Sequence, residues 1–226
     1  MQNLNIVKTS EIDETFRVKR VRADFDYTNP ESRVCITANV SLPDYWQIGL
    51  IVGNSGTGKS TIAKELFGRD VVTGYAYHAK SVIDDMPESA TVDDIESAFY
   101  AVGFGSVPSW LKPYNVLSTG EKMRVDMARA LLQSDIVVFD EFTSVVDRDV
   151  ARTLSMAVSK AVRRDKEKKF VAVTCHKDVE EFLQPDWVFD TDEMKLFFAE
   201  CRVVKSGSTS GDAATTSGAG SRAIII

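Results

Sequence analysis

The stretch from Trp46 to Thr61, WQIGLIVGNSGTGKST, constrains the fold of this chain more than any other. An apolar run from Ile48 to Val52 stops abruptly at Gly53, and the residues that follow, Gly53-Asn54-Ser55-Gly56-Thr57-Gly58-Lys59-Ser60, fit the pattern G-x-x-x-x-G-K-[ST]. A strand that runs into such a turn and leaves it as a helix is a phosphate cradle. Successive backbone N–H groups converge on an anion only where no Cβ obstructs the curve, which accounts for the glycines. The helix expected from about Lys59 aims its positive end at the same anion. Lys59 adds a full charge at the β- and γ-phosphates, the Ser60 hydroxyl is suited to Mg²⁺, and Thr61 completes the nucleotide-binding set.

The 226 residues suffice for one sizeable α/β domain followed by a tail, with 44% apolar residues to fill its core. No apolar run approaches the ~18–20 residues of a membrane span, so direct membrane insertion is not expected. The N-terminal MQNLNIVKTSEIDE carries no targeting pattern, and Cys35, Cys175 and Cys201 read as reduced thiols of a cytoplasmic protein. A net charge of −6 argues against broad electrostatic attraction to nucleic acid.

Along the chain, Thr15 to Tyr27 alternates well enough to predict a strand, with Phe16, Val18, Val21 and Phe25 facing inward. A second strand is predicted from Arg33 to Leu42. Two antiparallel strands leading into the phosphate loop would bring an aromatic near a bound base; Tyr27 is the candidate, an edge aromatic the plainer alternative. Beyond the loop helix, TVDDIESAFYAVGFG places Ile95, Ala98, Phe99 and Val102 on one helical face before Gly103. Val107 to Tyr114 reads as a rigid, proline-bearing loop. Leu117 to Gln133 reads as a helix capped by Ser118 with Glu121 in capping-box position. Asp135 to Asp140 is a buried strand stopping on two acids, Asp140 and Glu141. A helix (148–164), a strand (170–174) ending at Cys175-His176, a short helix (178–183) and a terminal hairpin complete the alternation. This order predicts a mostly parallel sheet with helices on both faces. The basic run at 163–169 reads as a solvated helix end, with phosphate contact as the sharper alternative. From Lys205 the Ser/Gly/Thr/Ala-rich composition predicts a flexible tail through 226.

Four segments in fixed order, the phosphate loop, LSTGE (117–121), VVFDEFTSVVD (137–147) and VTCH (173–176), together resemble the nucleotide-binding domain of the ABC ATPase superfamily over about residues 15–200. LSTGEKMRVDMARAL is similar to the family's signature, with Thr119 and Glu121 as departures, and DEFTSVVD to its Walker B aspartate, catalytic glutamate and D-loop, with Phe142 where many members have proline. VTCHKDVEEF resembles the switch-histidine segment, and VRADFDY the aromatic A-loop. The resemblance implies a P-loop α/β domain over 1–204, with an N-terminal antiparallel β part and a reduced helical signature subdomain at about 84–132. It further implies ATP and Mg²⁺ as ligands, Ser60 and Asp140 toward the metal, and Lys59, Glu141 and His176 as catalytic residues. Ser118, Thr119, Gly120 and Glu121 would act in trans in a head-to-tail homodimer, with Asp147 at its interface. No glutamine lies between the phosphate loop and the signature to serve as a transporter-type glutamine loop; Asp84 is the nearest positional substitute and Asp85 its rival. The expectation is a stand-alone ATPase acting on DNA or a protein partner, against a transporter subunit or a slow ATP-dependent switch.

Overall fold

The computed structural model describes residues 2–28, 31–68, 71–198 and 223–224. It divides into two compact units, Met1–Leu42 and Pro43–Ile226. The smaller is an antiparallel pair, β1 (Gln2–Glu11) with β2 (Glu31–Val40), in register from Gln2 opposite Val40 to Glu11 opposite Glu31. Burial alternates along it as a one-sided strand requires: Leu4, Ile36, Ala38 and Val40 are buried while Asn5, Cys35, Thr37 and Asn39 are exposed.

Between these strands lies a correction to the sequence reading. Residues predicted as a strand form α1 (Phe16–Asp24), capped by Thr15, whose hydroxyl accepts the Val18 N–H. The residues expected to face inward do not: Phe16, Val21 and Phe25 are all exposed, and α1 buries nothing. Tyr27 therefore follows a helix, where its carbonyl accepts a hydrogen bond from Arg22 Nε (3.1 Å).

The larger unit holds a seven-stranded sheet in the order β4-β5-β6-β3-β7-β8-β9. Its strands are β3 (Ile48–Val52), β4 (Val71–Val72), β5 (Ile136–Phe139), β6 (Lys169–Thr174), β7 (Trp187–Asp190), β8 (Lys195–Phe198) and β9 (Ala223–Ile224). The first five run parallel, and β8 and β9 add antiparallel at the edge. Every residue of β3 is buried, as a strand covered on both faces demands. From β3 the chain crosses to β4 through α2 (Lys59–Phe67); from β5 and β6 it returns the other way through α6 (Arg148–Arg164) and α7 (Val179–Leu183). Right-handed crossovers then put α2 on one face and α6 and α7 on the other. The tail expectation, apart from Ala223–Ile224, lies outside the described residues, as does Cys201. Among the described residues no helix is long and apolar enough to cross a membrane.

The helical part comprises α3 (Val92–Ala101), α4 (Val107–Trp110) and α5 (Thr119–Gln133). Thr91 and Asp94 form a capping box on α3, and Gly103, at φ 79°, stops it. The loop predicted at 107–114 is partly helical, because Trp110 is drawn inward onto Phe99 and donates its Nε1–H to the Phe104 carbonyl (2.8 Å).

One cluster ties the segment after β4 to α5. Tyr77 and Tyr114 stack with centroids 3.9 Å apart and both donate to the Asp126 carboxylate, at 2.6 and 2.8 Å. Arg129 lies over the Tyr75 and Tyr77 rings. Burial pushes the Asp126 carboxyl up. Burial, reinforced by the Asp126 charge, also raises Tyr77 and Tyr114, and burial pushes Tyr75 up to about 12. A phenol whose folded pKa is raised contributes stability that is complete below its unfolded value of 10.0 and is lost as pH climbs through the folded value. The fold is accordingly expected to weaken between pH 10 and about 12, and Tyr77→Phe should lessen that loss. Thermal melts across this window, with phenolate absorbance followed in parallel, check it. All six tyrosines ionised near pH 10 with the fold intact would contradict it.

Candidate functional site

Because β5, β6, β3 and β7 run parallel, their carboxyl ends share one edge, where open α/β sheets bind ligands. The register is explicit: Val52 sits opposite Thr174 on β6 and Asp190 on β7, and Phe139 opposite Ala172. Gly53, Cys175 and Thr191 therefore emerge in one layer, and Asp140 leaves β5 at the level of Val173, two residues before Cys175.

The phosphate loop is packed against the turn after β7. A methyl on Gly53 would come within 2.2 Å of Thr191 Oγ1, so only glycine permits this approach. Thr191 N–H donates to the Val52 carbonyl (2.8 Å), its hydroxyl pairs with that of Thr57, and the Asn54 N–H donates to Asp192 Oδ1 (2.9 Å). Gly58, at φ 91°, is the left-handed residue from which α2 springs. Lys59 is buried, and its ammonium donates to the Asn54 carbonyl within the loop (2.8 Å). Ser60 and Thr61 are half-buried, and Asn54, Ser55 and Gly56 are exposed.

Asp140, buried at the end of β5, accepts the Glu141 N–H on Oδ1 (3.0 Å), while its own N–H donates to Val72 (2.9 Å). Glu141 is exposed at φ 56° and Thr143 fully buried at φ 63°. A β-branched residue in the left-handed region costs about 1–3 kcal/mol, so this turn is held against local preference. Phe142 holds it: its N–H donates to Val173 (2.9 Å) and its ring is fully buried, edge-on to Phe170. The departure from proline is thus a core side chain. Ser144 Oγ and Thr143 Oγ1 are buried without a hydrogen-bond partner among the described residues. His176, half-buried, follows β6, its N–H bonded to Thr174 Oγ1 (3.2 Å). Asp147 caps α6 by accepting the Val150 N–H (2.9 Å).

Residues 118–121 make a complete local structure. Ser118 accepts the Glu121 N–H, and Glu121 Oε2 accepts the Ser118 N–H (2.9 Å) while Oε1 accepts from buried Ser109 (2.8 Å). The Ser118 and Ser109 hydrogen bonds hold the Glu121 carboxyl below its usual value, which explains an anion at this departure. Thr119 opens α5, and Gly120 packs against Val150 of α6, where an added Cβ would lie 3.3 Å from Val150 Cγ1. Asp84 is exposed in a 3₁₀ turn (Val82–Asp85), whereas Asp85 is engaged with the His78 and Ala79 N–H groups. Sequence reasoning missed Thr191 and Asp192; the acidic end of WVFDTDE was visible, but its place beside the phosphate loop depends on strand order.

The strand-edge layout and motif order meet their counterpart in known proteins. No family model matches the chain. The Energy-coupling factor transporter ATP-binding protein EcfA1 of Staphylococcus aureus (strain USA300) is 28% identical over 177 residues, covering 61% of this chain. Its namesake in Leuconostoc mesenteroides subsp. mesenteroides is 26% identical over 212 residues, 76% of each chain. The ATP-binding cassette MJ0796, in a dimeric post-hydrolysis structure bound to ADP and Pi, superposes with a TM-score of 0.59 at 16% identity, covering 83% of this chain and 92% of that one. The chain is similar to ABC transporter ATP-binding proteins and shares the fold of an ATP-binding cassette. It spans 64% of the length of the Staphylococcus aureus relative. Like that fold, it has a parallel P-loop sheet, and the chain also carries an antiparallel N-terminal β pair and a helical signature segment.

Proposed function

We propose that this domain binds Mg-ATP, closes head-to-tail on a second copy of itself around the nucleotide, and hydrolyses it. The observation that carries the reading is the convergence of the Gly53–Ser60 loop, Asp140–Glu141 and His176 on the carboxyl edge of neighbouring strands. The residues fit the ligands: Gly53 leaves no room for a Cβ beside Thr191, Gly58 takes the left-handed backbone at φ 91°, and the Ser60 hydroxyl and Asp140 carboxylate are hard oxygen donors suited to Mg²⁺. Mg²⁺, when bound, neutralises charge on the phosphate oxygens. Lys59 and the loop N–H groups hold the phosphates, Glu141 accepts a proton from the attacking water, and His176 donates a hydrogen bond toward the γ-phosphate. Ser118, Thr119, Gly120 and Glu121 of the second copy close the pocket at the amino end of its α5, and Asp147 lies where the copies meet. Asp84 stands in for the missing glutamine in this reading.

What the cycle drives is a second question. The relatives bear the names of transporter ATP-binding proteins, which favours a membrane component as the partner. DNA is disfavoured: Arg163 is engaged with Asp186 and Lys168 with Asp135, and the chain carries a net charge of −6. ATPase rates with and without duplex DNA over rising salt decide this. Phosphate contacts must give stimulation that fades steeply with salt, and the expected result is no DNA stimulation.

A further inference from the structure

The turn after β7 does more than cover the phosphate loop. The Asp192 carboxylate reaches two elements at once: Oδ1 accepts the Asn54 N–H of the loop (2.9 Å) and Oδ2 faces Lys177 Nζ (3.3 Å). Lys177 directly follows His176 and also donates to Asp190 Oδ2 (2.9 Å). Asp190 is 1% exposed and is closed off by the Asp192 and Glu193 N–H groups, at 2.9 and 3.3 Å. Burial pushes the Asp190 carboxyl up, but the Lys177 ammonium and these two amides outweigh it and hold it low. A buried carboxylate of this kind needs its cation, so Lys177 is not a free surface lysine. A hydrogen bond and an ion pair in series therefore run from the phosphate-loop backbone through Asp192 to the residue beside His176. The motifs that mark the site assign nothing to either residue.

We propose that Asp192 and Lys177 are positioning residues that couple the phosphate loop to the His176 segment, so that a loop shaped by bound nucleotide sets His176 at the γ-phosphate. This rests on the hydrolysis reading above. Asn54 turns its N–H away to Asp192, leaving the later loop amides for the phosphates, so the bridge holds the cradle from behind. Lys177 is half exposed, and its contribution is geometry more than stability.

The test compares Lys177→Met, Lys177→Arg, Asp192→Asn and Asp192→Ala in the full chain, reading kcat, KM, Mg-ATP affinity and hydrogen exchange. Lys177→Met should lower kcat by about tenfold with KM within about twofold, the scale of a slightly misplaced group. Lys177→Arg should recover most of that loss, and in a His176→Ala background Lys177→Met should cost nothing further. Asp192→Asn should resemble Lys177→Met, because its amide oxygen still accepts the Asn54 N–H. Asp192→Ala should also raise KM and speed exchange in both 53–58 and 175–179. Where Lys177→Met fails to fold, Lys177→Met/Asp190→Asn removes both charges and carries the same expectation. An unchanged kcat, or losses from Lys177→Met and His176→Ala that multiply, overturns the proposal. Should the wild type not hydrolyse Mg-ATP, the hydrolysis reading falls alone; exchange in Asp192→Ala that quickens only at 190–193 overturns the bridge.

Discussion

Glu141→Gln is expected to lower ATP turnover by about 10²–10⁴-fold, the usual worth of a general base. Mg-ATP affinity should stay within about twofold, because Gln preserves side-chain shape and the phosphate loop is untouched. The reason lies in the backbone. Glu141 leaves β5 in the left-handed region at φ 56°, its N–H tied to Asp140, and its side chain exposed at the strand edge rather than packed inside. Neither its burial nor its fold contacts change in the variant, so a loss of turnover reports chemistry. Phosphate release in single-turnover and steady-state assays, beside a nucleotide-binding titration, makes the measurement. Turnover that survives places the water-activating group elsewhere.

Phe142→Ala is expected to cost about 3–5 kcal/mol of stability, the range for emptying a fully buried aromatic site. Phe142 has no exposure, and its ring meets Phe170 at 5.4 Å and 70° and Phe139 at 6.3 Å and 78°. These rings join β5 and β6, and the cavity left by alanine would lie directly beneath the Glu141–Ser144 turn. Phe142→Pro should do worse, since it also removes the N–H that donates to Val173. Urea unfolding followed by far-UV circular dichroism measures both. A loss below about 1 kcal/mol would mean that the core repacks freely around the site.

What was legible in the sequence was what local chemistry determines. The glycines and Lys59 declare the phosphate loop, Ser118 and Glu121 declare a capping box, and the run into Asp140 declares a buried strand; all three stand where their residues point. The misreading at 15–27 has an equally local cause. Phe16, Val18, Val21 and Phe25 imitate alternation, but alternation marks a strand only when one side is buried, and none of these residues is. Thr15, with its hydroxyl in reach of the Val18 N–H three residues on, is the local helix signal. Asp192, Lys177 and Thr191 were not legible, because their partners lie on strands whose neighbours depend on the whole topology. Thr143 was equally hidden: nothing in DEFTS tells that a buried threonine takes a left-handed backbone.

The central claim is a nucleotide held between two copies of the chain, each completing the pocket of the other. Light scattering of Glu141→Gln with saturating ATP and Mg²⁺ tests it most directly. A shift from the 25.0 kDa monomer to twice that mass, reversed when ADP replaces ATP, is the predicted result; a species that stays at 25.0 kDa with nucleotide bound contradicts it.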